Sequence, residues 1–267
     1  MTNQELRAVT LRTVGAGAGT VTAAVAAKIL RSFFRDPQVA LPTLLQGVLF
    51  FLLFRYVFAG AISSGSLEYV DYLTPGIVVA AILFGSTQAA LTVAQENAQG
   101  FADRMLSMPI SRMGITIGRV VAHGAIAFAG AMTTLAVAFL TGFRTQASVV
   151  PLLGAAMLLF LYAGAFAALF IALGSMASTP EAAQSLAFIA IPLTLVSSAL
   201  VPTETMPNWL ARIAEYQPLT PMIDLLRQLT QRGVSGVDQL SLTASLAWAL
   251  VLAAGSIALA TARLRRL

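Results

Sequence analysis

The sequence predicts an all-α integral membrane protein with six transmembrane helices and both termini in the cytoplasm. Hydrophobic residues make up 58% of the 267-residue chain and charged residues only 10%, whereas an ordinary globular domain carries about 25% charged residues. The apolar residues occur in runs long enough to cross a bilayer. Lys and Arg concentrate in the connections on one side of these runs, as cytoplasmic loops do.

Six segments have the roughly 20 apolar residues that a membrane-spanning helix needs. Pro42 and Arg55 interrupt the first segment, and the third is predicted to begin as an interfacial helix near Arg119. The first 20 residues are polar and then rich in Gly and Ala, which predicts a loose tail without the cleavage site of a signal peptide. The predicted spans are residues 39–58, 73–93, 115–142, 149–173, 183–201 and 242–262.

The distribution of basic residues predicts the orientation of the spans. With the amino terminus in the cytoplasm, 11 of the 16 basic residues lie in cytoplasmic segments, as the positive-inside rule requires. Glu68 and Asp71 make the first outer loop acidic. The chain therefore divides into a cytoplasmic tail with an amphipathic helix, residues 1–38, and a six-helix transmembrane domain, residues 39–267.

Residues 21–35 are predicted to form an amphipathic helix that Asp36-Pro37 ends. At 100° per residue, the basic side chains fall on one face and the apolar side chains gather on the other face. This pattern is typical of a helix in the headgroup layer, and a helix that docks in the cytosol is the alternative. The basic face carries Lys28, Arg31 and Arg35, and the apolar face carries Ile29, Leu30, Phe33 and Phe34.

The connection over residues 94–112 is predicted to be a cytoplasmic loop with a short helix over 101–108, ended by Pro109. Phe101, Met105 and Met108 recur at helical spacing and form one apolar face. Such a face belongs either to a helix tucked under the membrane domain or to a projection that inserts into a groove of a partner. The residues alone leave both interpretations open.

The segment over residues 202–241 is predicted to form two short helices on or in the outer leaflet. Pro207 suits the start of a helix, and Pro218 and Pro221 separate the first helix from the second. Trp209 is an aromatic residue of the type found at membrane interfaces. Irregular backbone at this depth requires cover from protein or water.

The chain cannot hydrolyse ATP by itself. A P-loop requires the pattern G-x-x-x-x-G-K-[ST], and the only Lys of the sequence, Lys28, stands between Ala27 and Ile29. The absence of Cys and the single His also exclude thiolate chemistry and a zinc site. The basic residues form no stripe of the kind that binds nucleic acid.

Four polar residues within the spans are candidates for a transport pathway. Arg55 is one, because ionisable groups in spans are functional by default, although it can also snorkel to the outer headgroups. His123 is more often a hydrogen-bonding residue of a helix bundle than a catalyst. Gln46 and Gln88 either line a polar cavity or make hydrogen bonds between helices.

Several motifs bear a family resemblance. Gly100-Phe101-Ala102-Asp103-Arg104-Met105, followed by Ser107-Met108-Pro109-Ile110-Ser111-Arg112, resembles the cytoplasmic loop of ABC-2-type transporter permeases of the daunorubicin-resistance exporter kind. Thr203-Glu204-Thr205-Met206-Pro207, with Trp209-Leu210, is similar to the segment before the last span in that family, and so is Gln217-Pro218-Leu219-Thr220-Pro221. The resemblance covers nearly the whole chain.

The resemblance implies a six-span subunit that pairs with a second permease copy or paralogue and with two cytosolic ATPase subunits. ATP and Mg²⁺ would then bind to the ATPase subunits, and this chain would need no cofactor. The cytoplasmic loop would be the coupling helix, with Glu96, Gly100, Phe101, Asp103, Arg104, Met105, Met108 and Pro109. Where this chain has Glu96-Asn97-Ala98, the family often has Glu-x-Glu.

In the same family the amphipathic amino-terminal helix is the connecting helix. The short outer helices help to close the exit path, which assigns Glu204, Pro207, Trp209 and Pro218 to an outer gate. The implied function is an exporter permease in a bacterial plasma membrane that moves a drug, lipid or glycolipid outward by alternating access. The cargo would be hydrophobic or amphipathic, because the predicted walls carry so little charge.

Two other function classes stay open at the level of sequence. An ion-coupled secondary transporter usually carries carboxylates inside its spans, and none of the 11 Asp and Glu residues lies in the interior of a predicted span. A membrane scaffold that transports nothing is the second alternative. Copurification with an ATPase subunit distinguishes the exporter from both.

Overall fold

A computed structural model describes residues 17–57, 69–100, 111–231 and 237–264. Within these ranges the secondary structure is helical and contains no strand. The predicted tail over 1–16, most of the first outer loop and the coupling-loop residues 101–110 lie outside the described residues. The α-helices are α1 Ala18–Arg35, α2 Pro37–Val57, α3 Tyr69–Ala98, α4 Arg112–Leu140, α5 Val149–Met176, α6 Pro180–Ala187, α7 Ala190–Leu195, α8 Asn208–Tyr216, α9 Leu219–Gln231 and α10 Gln239–Leu264.

Among the described residues, five helices are long and apolar enough to cross a membrane, namely α2, α3, α4, α5 and α10. They correspond to five of the six predicted spans, and α3 extends beyond its prediction at both ends. The all-helical membrane class is confirmed. α3 lies at the centre of the bundle, because it contacts α2, α4, α5, α6, α7 and α9.

The predicted fifth span, residues 183–201, is not one continuous helix. The chain forms α6 and α7 instead, with a break at Phe188 and Ile189. Pro192 explains the break, because proline cannot donate a hydrogen bond to the carbonyl of the residue four positions earlier, here Phe188, and its ring clashes with that carbonyl. The prediction of a continuous helix was therefore wrong.

The broken segment follows α3 from one part of the bundle to another. Gly174 of α5 brings the chain against Ala90 of α3, and the segment then returns until Ala199 lies against Gly76. Ala90 and Gly76 are about 21 Å apart at a rise of 1.5 Å per residue. A sixth crossing stays a prediction, because a bilayer core is about 30 Å thick.

The two ends of the bundle differ in charge. We call one the basic end, which carries Lys28, Arg31, Arg35, Arg112, Arg119 and Arg263. Cations outnumber the carboxylates at this end, which include Asp36 and Glu96, whereas the opposite end has a more even balance and includes Arg55, Asp71, Arg144, Asp224 and Arg227. The assignment of the basic end to the cytoplasm stays a prediction from the positive-inside rule.

The predicted amphipathic helix is present as α1, and α4 covers part of its apolar face, since Phe34 of the predicted face is 64% exposed. Val21, Ala26, Ile29 and Phe33 are buried. Two glycines of α4 permit the close approach, since a Cβ atom on Gly118 would lie 2.9 Å from the Cβ of Val25 and one on Gly114 would lie 2.8 Å from the carbonyl oxygen of Ala18. Its position relative to the headgroup layer stays a prediction.

The predicted helices between the last two spans are present as α8 and α9, but only α8 is largely exposed. Trp209 of α8 is 66% exposed, whereas α9 is buried through Leu219, Met222, Ile223 and Leu225. Pro221 does not separate the helices. It lies in the first turn of α9, where a missing N–H leaves no intrahelical bond unmade.

Candidate coupling site and polar cavity

A single carboxylate, that of Glu96, joins three helices at the basic end. Its Oε2 atom accepts a hydrogen bond of 2.6 Å from Nη2 of Arg119 on α4. Its Oε1 atom lies 3.2 Å from Nζ of Lys28 on α1. Glu96 itself lies near the carboxyl end of α3. The sequence identified Glu96 as a coupling candidate but gave no indication of these two partners.

The two ion pairs of Glu96 differ in strength because they differ in exposure. The Arg119 side chain is 4% exposed and that of Glu96 16%, so neither charge has much contact with water. Removing one partner of such a buried pair costs about 3–5 kcal/mol, because the other charge stays buried without compensation. Lys28 is 53% exposed, and an exposed ion pair contributes about 0–1 kcal/mol.

The backbone at Gly100 explains why a glycine follows α3. Gly100 has a φ of 64°, in the left-handed region that glycine adopts without a steric cost. Its N–H donates to the carbonyl of Asn97 at 3.0 Å, which caps the helix as glycines commonly do. The described chain resumes at Ser111, whose Oγ accepts the N–H of Gly114 at 3.2 Å and caps α4.

Glu96 therefore lies one helical turn before the point where the chain leaves α3 for the predicted coupling loop. Of the coupling residues that the resemblance implies, the structure describes Glu96 and Gly100. The remaining ones, Phe101, Asp103, Arg104, Met105, Met108 and Pro109, lie outside the described residues. Their roles stay predictions.

A polar cavity of about 390 Å³ lies beside Glu96, between α1, α3 and α4. It is lined by Gln88 and Glu96 of α3 and by His123 of α4, so it brings together two of the four candidate pathway residues and a coupling candidate. His123 is 4% exposed, and its Nε2 atom has no hydrogen-bond partner among the described residues. Small-molecule sites have volumes of about 300–1,000 Å³.

The other two candidate pathway residues lie elsewhere. Gln46 is half-buried on α2 and does not line this cavity. Arg55 lies at the opposite end of the bundle, where its guanidinium is near Gly142 and 5.6 Å from the centre of the Tyr56 ring. The structure thus does not unite the four residues in one pathway.

A second polar network, at the opposite end, was not identified from the sequence. Arg227 of α9 donates to Oδ1 of Asp224 at 2.9 Å and to the carbonyl oxygens of Ser198 at 3.0 Å and Tyr72 at 3.2 Å. Its guanidinium carbon also lies 3.9 Å from the centre of the Tyr72 ring. Burial raises the pKa of the Asp224 carboxyl, while Arg227 and the Ser198 hydroxyl oppose that shift.

This Arg227 network ties α9 and the residues after α7 to the first turns of α3. Ser198 takes part three times, because its carbonyl accepts from Arg227 and from the Tyr72 hydroxyl at 3.0 Å, and its hydroxyl donates to Asp224 at 2.9 Å. Of the predicted outer-gate residues, Glu204 and Trp209 are exposed. Pro207 precedes α8, and Pro218 lies between α8 and α9.

The substitution Arg227→Lys is expected to weaken the packing of α9 and the residues after α7 against α3, at the end of the bundle opposite the basic end. Lysine keeps the charge but cannot reach several acceptors with one planar group, and each buried acceptor left unpaired costs about 1–3 kcal/mol. Ala199→Cys, at a buried neighbour of Ser198, introduces a single thiol, because the chain has no Cys, and its rate of labelling by a maleimide should rise in the Arg227→Lys background. The exposed Arg212 supplies the control Arg212→Lys, and equal rates in both backgrounds would contradict the prediction.

The class of protein now follows from fold and composition: this is a multi-pass membrane protein. A family model described as ABC-2 type transporter matches residues 20–230. The chain belongs to the ABC-2 type transporter family. Membership implies association with ABC ATPase subunits.

Similar proteins include several permeases. The chain is 26% identical over 210 residues to the daunorubicin resistance ABC transporter permease protein DrrB1 of Streptomyces coeruleorubidus, over 78% of this chain and 74% of that protein. It is 22% identical to the "Probable doxorubicin resistance ABC transporter permease protein DrrC" of Mycobacterium tuberculosis, over 77% and 75% of the two chains. It is 26% identical to the "Probable multidrug ABC transporter permease YbhR" of Escherichia coli, over 64% of this chain and 46% of that protein.

Proposed function

We propose that this chain is the transmembrane permease subunit of an ATP-driven exporter in a bacterial plasma membrane. It pairs with a second permease copy or paralogue, and separate cytosolic ABC ATPase subunits bind ATP and Mg²⁺ and hydrolyse the nucleotide. The observation that carries the proposal is the position of Glu96, which joins α1, α3 and α4 shortly before the chain reaches segment 101–110. Family membership and the names of the relatives support it.

In this mechanism the ion pairs of Glu96 connect the movement of α3 to that of α1 and α4. When the ATPase subunits close on ATP, segment 101–110 is displaced. The Glu96 ion pairs transmit the displacement from α3 to α1 and α4 together, because a buried ion pair resists separation more than apolar contacts that can slide. The helices then move as packed bodies between two arrangements, which changes the side of the bundle that is open.

The distribution of carboxylates favours ATP hydrolysis over an ion gradient as the energy source of transport. Within the described residues, the five span-length helices carry two carboxylates, Asp71 and Glu96, in the first turn and near the last turn of α3. An ion-coupled carrier relays protons or sodium through carboxylates inside its spans. The cargo is a hydrophobic or amphipathic compound such as a drug, lipid or glycolipid, and its direction is outward.

Charge reversal in the coupling segment tests the proposal. In a complex reconstituted with the cognate ATPase subunits, the variant Asp103→Arg/Arg104→Asp should lower ATPase binding about tenfold or more, which corresponds to 1.4 kcal/mol, and should abolish ATP-driven transport. Arg212→Glu, at the opposite end, is the matched control and should keep ATPase binding. If the reversed chain binds and transports like the original, or if the chain alone transports on an ion gradient, the proposal is wrong.

A further inference from the structure

An apolar cavity of about 160 Å³ lies between α3, α4, α5 and α9. On α5 it is lined by Leu152, Ala155, Ala156 and Leu159, which share one helix face because residues three and four apart are neighbours on a helix surface. The two alanines in the middle of this face have short side chains. They leave space that the leucines on either side do not fill, and we call this space the apolar cavity.

The lining of the apolar cavity offers no free hydroxyl proton to a ligand. Of its described lining residues, two have polar side chains, Thr74 of α3 and Thr230 of α9. The hydroxyl of Thr74 donates to the carbonyl of Val70 at 2.7 Å, and that of Thr230 donates to the carbonyl of Leu226 at 2.9 Å. A buried water needs about two to four polar partners. The lining therefore favours a hydrocarbon group over water or a polar ligand.

The volume of the apolar cavity suits a small hydrocarbon group. A cavity of about 150 Å³ lined by apolar side chains stays dry and binds benzene, so the apolar cavity has room for about six carbon atoms. An empty cavity loses the dispersion contacts that its lining would otherwise make. Hydrocarbon that enters the cavity restores those contacts.

The exposure of the lining residues indicates that the apolar cavity opens between α4 and α5. Its lining residues from α3 and α9 are buried. On the neighbouring outer surface of α5, Leu153 is 61% and Met157 75% exposed, so the surface around the opening is apolar as well. The lining residues that keep some exposure all belong to α4 and α5, namely Met132, Leu135, Phe139, Leu152 and Ala156.

The apolar cavity lies in the half of the bundle at the opposite end. α5 begins near that end, because the preceding Arg144 donates its backbone N–H to Asp71 at 3.0 Å. At a rise of 1.5 Å per residue, Leu152 and Leu159 are about 5 and 15 Å from the first residue of α5. A bilayer core is about 30 Å thick, so this depth corresponds to the acyl chains of one leaflet.

We propose that the apolar cavity binds an acyl-chain segment of a membrane lipid, which enters between α4 and α5. Two lining residues of α9, Leu226 and Thr230, lie on either side of Arg227 in the sequence. The bound chain therefore fills the space between α9 and the long helices beside the Arg227 network, and it supports α9 on the bundle. The inference does not depend on the exporter proposal, because it concerns this chain in a membrane without ATPase subunits.

Photo-crosslinking tests the site with the chain alone in lipid nanodiscs. The probe is phosphatidylcholine that carries a diazirine in one acyl chain, and mass spectrometry locates the residues to which it attaches. Lipid around the protein reaches exposed residues such as Met157. Val78 and Leu226 are 1% and 2% exposed, so they are labelled only if a chain lies in the cavity. We expect label at all three residues.

A variant that fills the cavity shows whether the label comes from this site. Ala155→Phe adds a phenyl ring and should lower the labelling of Val78 and Leu226 about tenfold or more, because a close-packed interior leaves no room for a chain. Ala136→Phe adds the same ring on the exposed side of α4 and should leave the labelling unchanged. If Ala155→Phe does not fold, Ala156→Phe, at the half-buried edge of the lining, takes its place.

Three results would overturn the site. Label at Met157 without label at Val78 and Leu226 would show that no chain enters the cavity. Absence of label at Met157 would show that protein rather than lipid covers this face. Undiminished label at Val78 in a folded cavity-filling variant would place the bound chain elsewhere. None of these results bears on the exporter proposal, whose readouts are ATPase binding and ATP-driven transport.

Discussion

Glu96→Gln is expected to lower the free energy of unfolding by about 3–5 kcal/mol, because Arg119 then stays buried without a counter-charge. Glutamine has the shape of glutamate, so the change removes the charge with little change in volume. The measurement is SDS or thermal unfolding of the chain in detergent. Under the proposed function, the same variant should also uncouple ATP hydrolysis from transport.

Two comparisons show whether the effect comes from the buried pair. Glu181→Gln, an exposed glutamate in the first turn of α6, should change the stability by less than about 0.5 kcal/mol, as surface substitutions usually do. In the double variant Glu96→Gln/Arg119→Met, part of the lost stability should return, since no buried charge is left. If the single and double variants lose the same free energy, the ion pair does not hold the three helices together.

The long helices could be predicted from the sequence because a transmembrane span is a property of one continuous segment. Length and apolar composition suffice for it, and five such helices are found where the sequence places them. The same reasoning failed for residues 183–201, because composition does not register a single helix-breaking residue. Pro192 fits the composition of a span and interrupts the helix nonetheless.

The site could be predicted only in the residues that carry an unusual local signal. The sequence indicates three candidates, Glu96, Gln88 and His123, because each is a polar residue in or beside an apolar segment. Their arrangement around one cavity depends on how α3 packs against α4, which no local pattern specifies. The partners of Arg227 could not be predicted for a further reason. Arg227 donates to backbone carbonyls, and every residue has one.

The glycine positions also show that a local sequence pattern does not reveal tertiary contacts. Gly76, Gly154 and Gly174 look alike in the sequence, since each is a glycine within an apolar helix. In the structure a Cβ atom on Gly76 would lie 2.6 Å from the Cα of Ala199, and one on Gly174 would lie 2.7 Å from the Cα of Ala90, whereas Gly154 has open space around its Cβ position. Only the tertiary contacts reveal which glycine is required.

The substitution Gly76→Ala is expected to force apart α3 and the segment after α7. The new methyl group would meet backbone atoms of Ala199, with its Cα at 2.6 Å and its carbonyl carbon at 2.8 Å, and backbone cannot rotate away as a side-chain end can. Overfilling a close-packed site typically costs about 1–3 kcal/mol. The displaced chain includes Ser198, so the bonds from Tyr72 and Arg227 to its carbonyl should weaken as well.

Gly154→Ala is the matched control, because it adds the same methyl group at a position where, among the described residues, no atom beyond the neighbouring residues and backbone of its own helix lies within 4 Å. Melting in detergent should show a lower Tm for Gly76→Ala and little change for Gly154→Ala. The defect should also stay local. Because Gly76 and Glu96 lie at different ends of α3, the proposed function predicts that ATPase binding persists in Gly76→Ala while transport falls. Equal melting of the two variants would show that α3 and the segment after α7 are not in close contact, and loss of ATPase binding would show that α3 does not separate the two ends.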